Sequence, residues 1–273
     1  MKSAYKQIRY SIKIIIFILL IINFVVSSCS SRATSDTISE NEEQKISEIQ
    51  LNKPVEAQEI ATKQIEKKYL LGKIQTSDTI FRKIPREYCL YRDEFLLPEV
   101  LQKFIEMYAE AQKDGIELKV ISALRPFDQA IYGQKYLWER KWRNDTDPIE
   151  MAKEILHLSA MPGTSRHHWG TDIDICLLED AYFTKNPQGI KTYQWLQENA
   201  HKFGFYQPYT AGRQSGYNEE KWHWSYMPLA KIYQKNYKEK IDYSDITGFK
   251  GCETAKELDV IKNYVFGINE KLL

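Results

Sequence analysis

Residues 165–174 read SRHHWGTDID. Two adjacent histidines are followed, across one aromatic residue and one glycine, by two aspartates spaced by one residue. The chain of 273 residues has five histidines, and two of them stand here. Imidazole is the commonest neutral metal ligand and carboxylate a frequent oxygen ligand. From Gly170 to Leu178 (GTDIDICLL) polar and apolar residues alternate, the pattern of a half-buried strand. On such a strand Asp172 and Asp174 share one face, while Ile173 and Ile175 take the other. The stretch reads as part of a metal site, as an acid/base cluster, or as a polar loop entering a strand. Spacing alone does not choose between the two aspartates, nor between His167 and His168.

A second stretch, EEKWHWSYMP (219–228), supplies what a metal site would lack. A strand is expected over 221–227, with His223 among alternating large residues. On an unbroken strand Glu220 and His223 would face opposite sides; a turn at Glu220-Lys221 brings both to one cavity. A zinc hydrolase needs three protein ligands, an open position for water, and a carboxylate to take the water's proton. His167, Asp174, His223 and Glu220 fill those four roles. A third stretch, SALRPFDQ (122–129), places Arg125 at a strand end before a proline. A guanidinium held there can stabilise an oxyanion; the alternative is an Arg125–Asp128 ion pair.

With 38 basic and 37 acidic residues the net charge is +1, which gives no electrostatic footprint for nucleic acid. At the N-terminus MKSAYKQIRYSIK is basic, and IIIFILLIINFVV (14–26) is an apolar run too short for a membrane span of ~20 residues. It fits the apolar region of a signal peptide. The run ends in Val26-Ser27-Ser28-Cys29, which resembles a bacterial lipobox with Cys29 as the lipidated residue. Residues 1–29 are therefore read as a lipoprotein signal peptide and the mature chain as exported. Residues 30–66 are polar and poor in aromatics, a composition that reads as a flexible tether. Residues 67–273 are read as one domain. Of its three cysteines none has CxxC spacing, which argues against a thiolate zinc site; Cys89–Cys252 is the expected disulfide, and Cys176 a buried small residue.

Helices are expected after Pro98, over 127–143, after the Asp147-Pro148 N-cap, over 192–203 up to Gly204, and over 228–240 and 253–266. Strands are expected over 116–122, 170–178 and 221–227. Helices and short strands without regular alternation indicate an α+β fold with a small antiparallel sheet flanked by helices.

The order Ser122-x-x-Arg125, Ser165-x-His167-x-x-Gly170-x-x-x-Asp174 and Glu220-x-x-His223-Trp224 resembles the VanY-type zinc D-alanyl-D-alanine carboxypeptidases and the related VanX dipeptidases, over about residues 115–235. The resemblance implies a hedgehog/D-Ala-D-Ala-peptidase-like fold, Zn2+ held by His167, Asp174 and His223, Glu220 as general base, and Arg125 on the scissile carbonyl. Asp172 stands where the family commonly has a small residue, which leaves it either supporting the site or touching substrate. Gln129 and Gln134 both compete for the family's glutamine after the arginine, and Ser165 either binds substrate or braces its loop. The implied substrate is the D-Ala–D-Ala end of a peptidoglycan stem peptide. An endopeptidase or L,D-carboxypeptidase on the same fold is the near alternative. A catalytically silent, metal-stabilised cell-wall-binding module is the distant one, and retention of Glu220 argues against it.

Overall fold

The computed structural model describes residues 64–273. The expected signal segment, Cys29 and nearly all of the tether lie outside the described residues. Packing starts slightly before residue 67. Ile65 is buried, its N–H donates to Asn236 Oδ1 (3.2 Å) and its carbonyl accepts from Lys240 Nζ (2.8 Å). Among the described residues no helix is long and apolar enough to cross a membrane.

The site rests on a four-stranded antiparallel sheet of β3 (Val120–Ser122), β4 (Asp172–Ile175), β5 (Phe205–Tyr206) and β6 (His223–Tyr226), in the order β3-β4-β6-β5. A separate two-stranded ribbon pairs β1 (Arg82–Lys83) with β2 (Phe95–Leu96). Helices α1 (Lys67–Leu70), α2 (Pro98–Lys113), α3 (Gln134–Glu139), α4 (Pro148–Leu156), α5 (Asp180–Lys185), α6 (Pro187–Asn199) and α7 (Met227–Lys240) complete the α+β architecture that the residue pattern leads to.

The helices begin where local chemistry favours it. Pro98 opens α2, and Asp147 caps α4 by accepting from the Ile149 and Glu150 amides. On α2 the buried face is Val100, Phe104, Met107 and Ala111, a helical spacing. Burying each of the larger three contributes roughly 1.5–3 kcal/mol. Trp169, fully buried, stacks on Tyr233 of α7 (ring centroids 5.9 Å apart) and donates from Nε1 to the Leu70 carbonyl. The loop carrying the histidines is thereby pinned to α1 and α7.

Register sets the site. In the β4–β6 pair Asp174 lies opposite His223, Ile173 opposite Trp224, and Asp172 opposite Ser225. In the β3–β4 pair Ser122 faces Asp174 while Val120 faces Ile175, so two residue steps on β3 match one on β4. That irregularity at Ile121 is a bulge of the kind that re-aims a strand end beside a site.

Four expectations need correction. The strands are shorter than expected: β3 starts at Val120, β4 stops at Ile175 and β6 starts at His223. The 127–143 helix reduces to Gln134–Glu139, because a single turn closes from the Gly133 N–H to the Gln129 carbonyl (2.8 Å) and the chain then extends at Gly133. A Cβ at Gly133 would meet the Gln129 amide nitrogen at 2.2 Å, so only glycine allows this close return. The 253–266 helix is broken at Asp259, whose φ of 45° is left-handed, leaving a 3-10 turn at Cys252–Thr254 and a π-turn at Ile261–Val265. Finally, Cys89 and Cys252 are not paired: all three described cysteines are free. Cys89 is buried beside Val120, whereas Cys252 begins the broken closing segment.

Candidate active site

The alternation on β4 sends Asp172 and Asp174 to the same face, and His223 on β6 sits directly across from Asp174 and diagonally from Asp172. The imidazole is held between the two carboxylates. Its Nε2 lies 2.9 Å from Asp172 Oδ2, and its Nδ1 lies 3.1 Å from Asp174 Oδ1. Burial alone would lower the His223 pKa, but the hydrogen bonds and charges of Asp172 and Asp174 outweigh it and raise it to about 9. The same surroundings favour a cation at Nδ1.

His167 arrives from the other side, on a 3-10 turn of residues Arg166–Trp169. Its Nδ1 lies 2.7 Å from the Ala123 carbonyl, a partner that can only accept, so this nitrogen carries the proton. Its unprotonated Nε2 then faces Asp174 Oδ2 at 3.2 Å. Desolvation lowers the His167 pKa, favouring the neutral ring. The turn ends at Gly170 (φ 68°), which lets the chain reverse into β4.

Ligand atoms of His167, Asp174 and His223 lie within 4.8 Å of one another, and all three residues are buried. Asp174 Oδ1 is buried and has no partner besides the His223 Nδ1 contact at 3.1 Å. Once a cation displaces the proton of His223 Nδ1, two nitrogen lone pairs and one carboxylate oxygen converge, a donor set that fits a divalent cation such as zinc.

Glu220 is placed by a turn one residue later than expected, with Lys221 and Trp222 at its centre and the His223 N–H approaching the Glu220 carbonyl (3.4 Å). Gln207 Nε2 donates to that same carbonyl (3.0 Å), and the Glu220 N–H donates to the Tyr209 carbonyl (3.0 Å). The carboxylate Oε2 thereby lies 3.5 Å from His223 Nδ1. Burial, reinforced by the nearby Asp174 charge, raises the Glu220 pKa to about 7, a range suited to proton transfer near neutrality.

Arg125 faces the same space. Its Nη2 donates to Ser122 Oγ (2.9 Å) and lies 3.5 Å from Asp174 Oδ2, while its Nη1 donates to Gln134 Oε1 (3.1 Å). Its carboxylate neighbour is therefore Asp174 and not Asp128. Arg125, Glu220, His167, Asp174 and His223 line a cavity of about 170 Å³, walled also by Ser165, Tyr209, Tyr217 and Trp222.

A family model described as VanY, D-alanyl-D-alanine carboxypeptidase, matches residues 93–229. The chain belongs to the VanY family. It is 26% identical over 179 residues to the putative carboxypeptidase YodJ of Bacillus subtilis, covering 63% of this chain and 62% of that protein. It is 30% identical over 142 residues to a D-alanyl-D-alanine carboxypeptidase of Enterococcus faecalis, covering 48% of each. This chain thus spans less than two thirds of either relative. Among solved structures, the LdcB LD-carboxypeptidase aligns at 25% identity with a TM-score of 0.46, over 63% of this chain and 81% of that one.

The structure sorts the remaining candidates of this VanY-family chain. Gln134 is fully buried and bridges Arg125 to the Ala160 carbonyl (2.6 Å), so it braces the guanidinium. Gln129 lies in the loop before Gly133 and does not line the cavity. Ser165 is on the cavity wall. Asp172, expected as a substrate contact or a support, is completely buried and engaged by four side chains, which excludes substrate contact. His168 is equally buried; Nδ1 bonds the Arg125 carbonyl (2.6 Å) and Nε2 accepts from the Gly163 N–H (3.0 Å). Burial pushes its pKa down to about 3, and neither nitrogen remains for a metal. The residue reading missed Arg166, Ser225 and Gln207. Ser225 shares the β6 face of His223 two residues on, a signal the strand period carried; nothing local marked Gln207.

Proposed function

We propose that this domain is a zinc-dependent carboxypeptidase that removes the terminal residue from D-Ala–D-Ala ends of peptidoglycan stem peptides. The observation that carries the reading is the convergence of His167 Nε2, His223 Nδ1 and Asp174 on one point, with Glu220 3.5 Å from His223. Membership of the VanY family supports the substrate class. The small cavity suits a chain terminus with methyl side chains more than a polymer backbone.

His167, Asp174 and His223 would hold the zinc. When bound, it supplies a Lewis acid and lowers the pKa of a coordinated water. Glu220 takes the proton of the attacking water and returns it to the leaving amine. Arg125, braced by Ser122 and Gln134, donates to the carbonyl oxygen as negative charge develops there. Export and a lipid anchor at Cys29 complete the proposal and place the enzyme beside its polymer; their support is the basic start, the apolar run 14–26 and the Val-Ser-Ser-Cys sequence.

The test is Glu220→Ala. It should retain one zinc per chain by elemental analysis while D-alanine release falls by roughly 10²–10⁴-fold. Release at the wild-type rate would remove Glu220 from the mechanism.

A further inference from the structure

Behind His223 lies a charge pair, its two side chains fully buried, that the hydrolytic machinery does not itself use. Asp172 and the Arg166 side chain are both 0% exposed. Arg166 Nε donates to Asp172 Oδ2 (2.9 Å), Arg166 Nη2 donates to Ser225 Oγ (2.6 Å), and the guanidinium stands over the Trp169 ring (4.8 Å). Asp172 Oδ1 accepts from Thr171 Oγ1 (2.6 Å) and from Ser225 Oγ (2.8 Å). The fourth contact of the carboxylate is His223 Nε2 at 2.9 Å.

A pair taken wholly out of water gains little stability over apolar residues of the same size. Stability therefore does not explain its position; the contact with His223 does. A carboxylate has about four acceptor sites, and those of Asp172 are filled by Arg166, Thr171, Ser225 and His223. Because an ionised carboxylate only accepts, the proton of a neutral His223 must sit on Nε2. Nδ1 is then left as a lone pair facing Asp174 and the cavity. Arg166 makes the arrangement tolerable by balancing the Asp172 charge, so that Asp174 is the carboxylate left to face a cation.

We infer that Asp172, backed by Arg166, is a positioning residue that fixes the tautomer and ring orientation of His223 and thereby raises metal affinity. The inference rests on the zinc site proposed above. Partners of this kind behind a ligating histidine typically contribute 10–100-fold in metal affinity.

The experiment measures zinc dissociation constants by competition with a chromophoric chelator, beside 15N-edited spectra of the imidazoles. Replacing both members of the pair (Arg166→Met with Asp172→Ala) avoids stranding a buried charge. The double variant is expected to fold but melt lower than the wild type, because Thr171, Ser225 and His223 each lose a buried partner. It should bind zinc about 10–100-fold more weakly and, when zinc-loaded, lose the single Nε2-protonated signal of His223. Should the double variant not fold, Asp172→Asn, which keeps the size and adds a donor, is expected to show weakened zinc binding and mixed tautomers. Wild-type affinity with an unchanged tautomer in a folded variant overturns the inference alone. A wild-type chain that binds no zinc overturns the metal site itself, and the inference with it.

Discussion

The imidazoles of His167 and His168 are adjacent in the chain and both buried, yet only the first turns an unprotonated nitrogen to the cavity. His168 spends both nitrogens on backbone groups, the Arg125 carbonyl and the Gly163 N–H. Its ring also fills the space where a Cβ on Gly72 would come within 2.2 Å. His168→Ala strands two buried backbone groups at ~1–3 kcal/mol each, so a loss of about 2–6 kcal/mol in urea denaturation is expected, with zinc content near that of the wild type. His167→Ala is expected to show the reverse: modest destabilisation and loss of bound zinc by elemental analysis. The opposite pattern would move the ligand by one position. At this scale the residue types were readable in the chain, but the choice between neighbours was not. It depends on which carbonyl each ring meets, Ala123 or Arg125, and those contacts span more than forty residues.

At the scale of elements, strand period and turns decide the geometry. Alternation on β4 put Asp172 and Asp174 on one face, a relation visible in DIDI; the pairing of Asp174 with His223 was not, since register across fifty residues leaves no local mark. The turn before β6 was foreseen one residue early. The helix expected over 127–143 failed because its apolar-polar pattern runs through Gly133, where the chain returns closely on Gln129 and then extends. Gly170 belongs to this scale as well. Its φ of 68° is left-handed, and an added Cβ would meet Phe81 Cε1 at 2.8 Å. Gly170→Ala is expected to lower stability by ~1–3 kcal/mol and to weaken zinc binding, because the turn delivers His167 at one end and starts β4 at the other. Thermal denaturation with and without zinc checks this; an unchanged melting temperature would show that the turn relaxes freely. The residue before β2 reaches the site through a relay. Glu94 pairs with Arg92 (2.6 Å) and accepts the Ala123 N–H (2.8 Å), and the Ala123 carbonyl in turn holds His167.

Across the whole molecule, the sheet, the histidine turn and the β5–β6 connection close around one small cavity whose walls carry three potential metal ligands, a carboxylate and a guanidinium. α1 and α7 hold the histidine turn through Trp169, so the site is supported from the core rather than from a loop surface. The VanY family relation and this convergence lead to one central claim, that a bound zinc and Glu220 hydrolyse the terminal D-Ala–D-Ala bond. The most direct test is mass spectrometry of a stem pentapeptide ending in D-Ala–D-Ala, incubated with the purified protein, with and without a metal chelator. The account predicts conversion to the tetrapeptide with release of D-alanine, abolished by chelator and restored by zinc. A pentapeptide left intact in the presence of zinc, or shortened equally well under chelator, would contradict it; cleavage only of tetrapeptides or cross-linked dimers would keep the metal chemistry but reject the bond assigned.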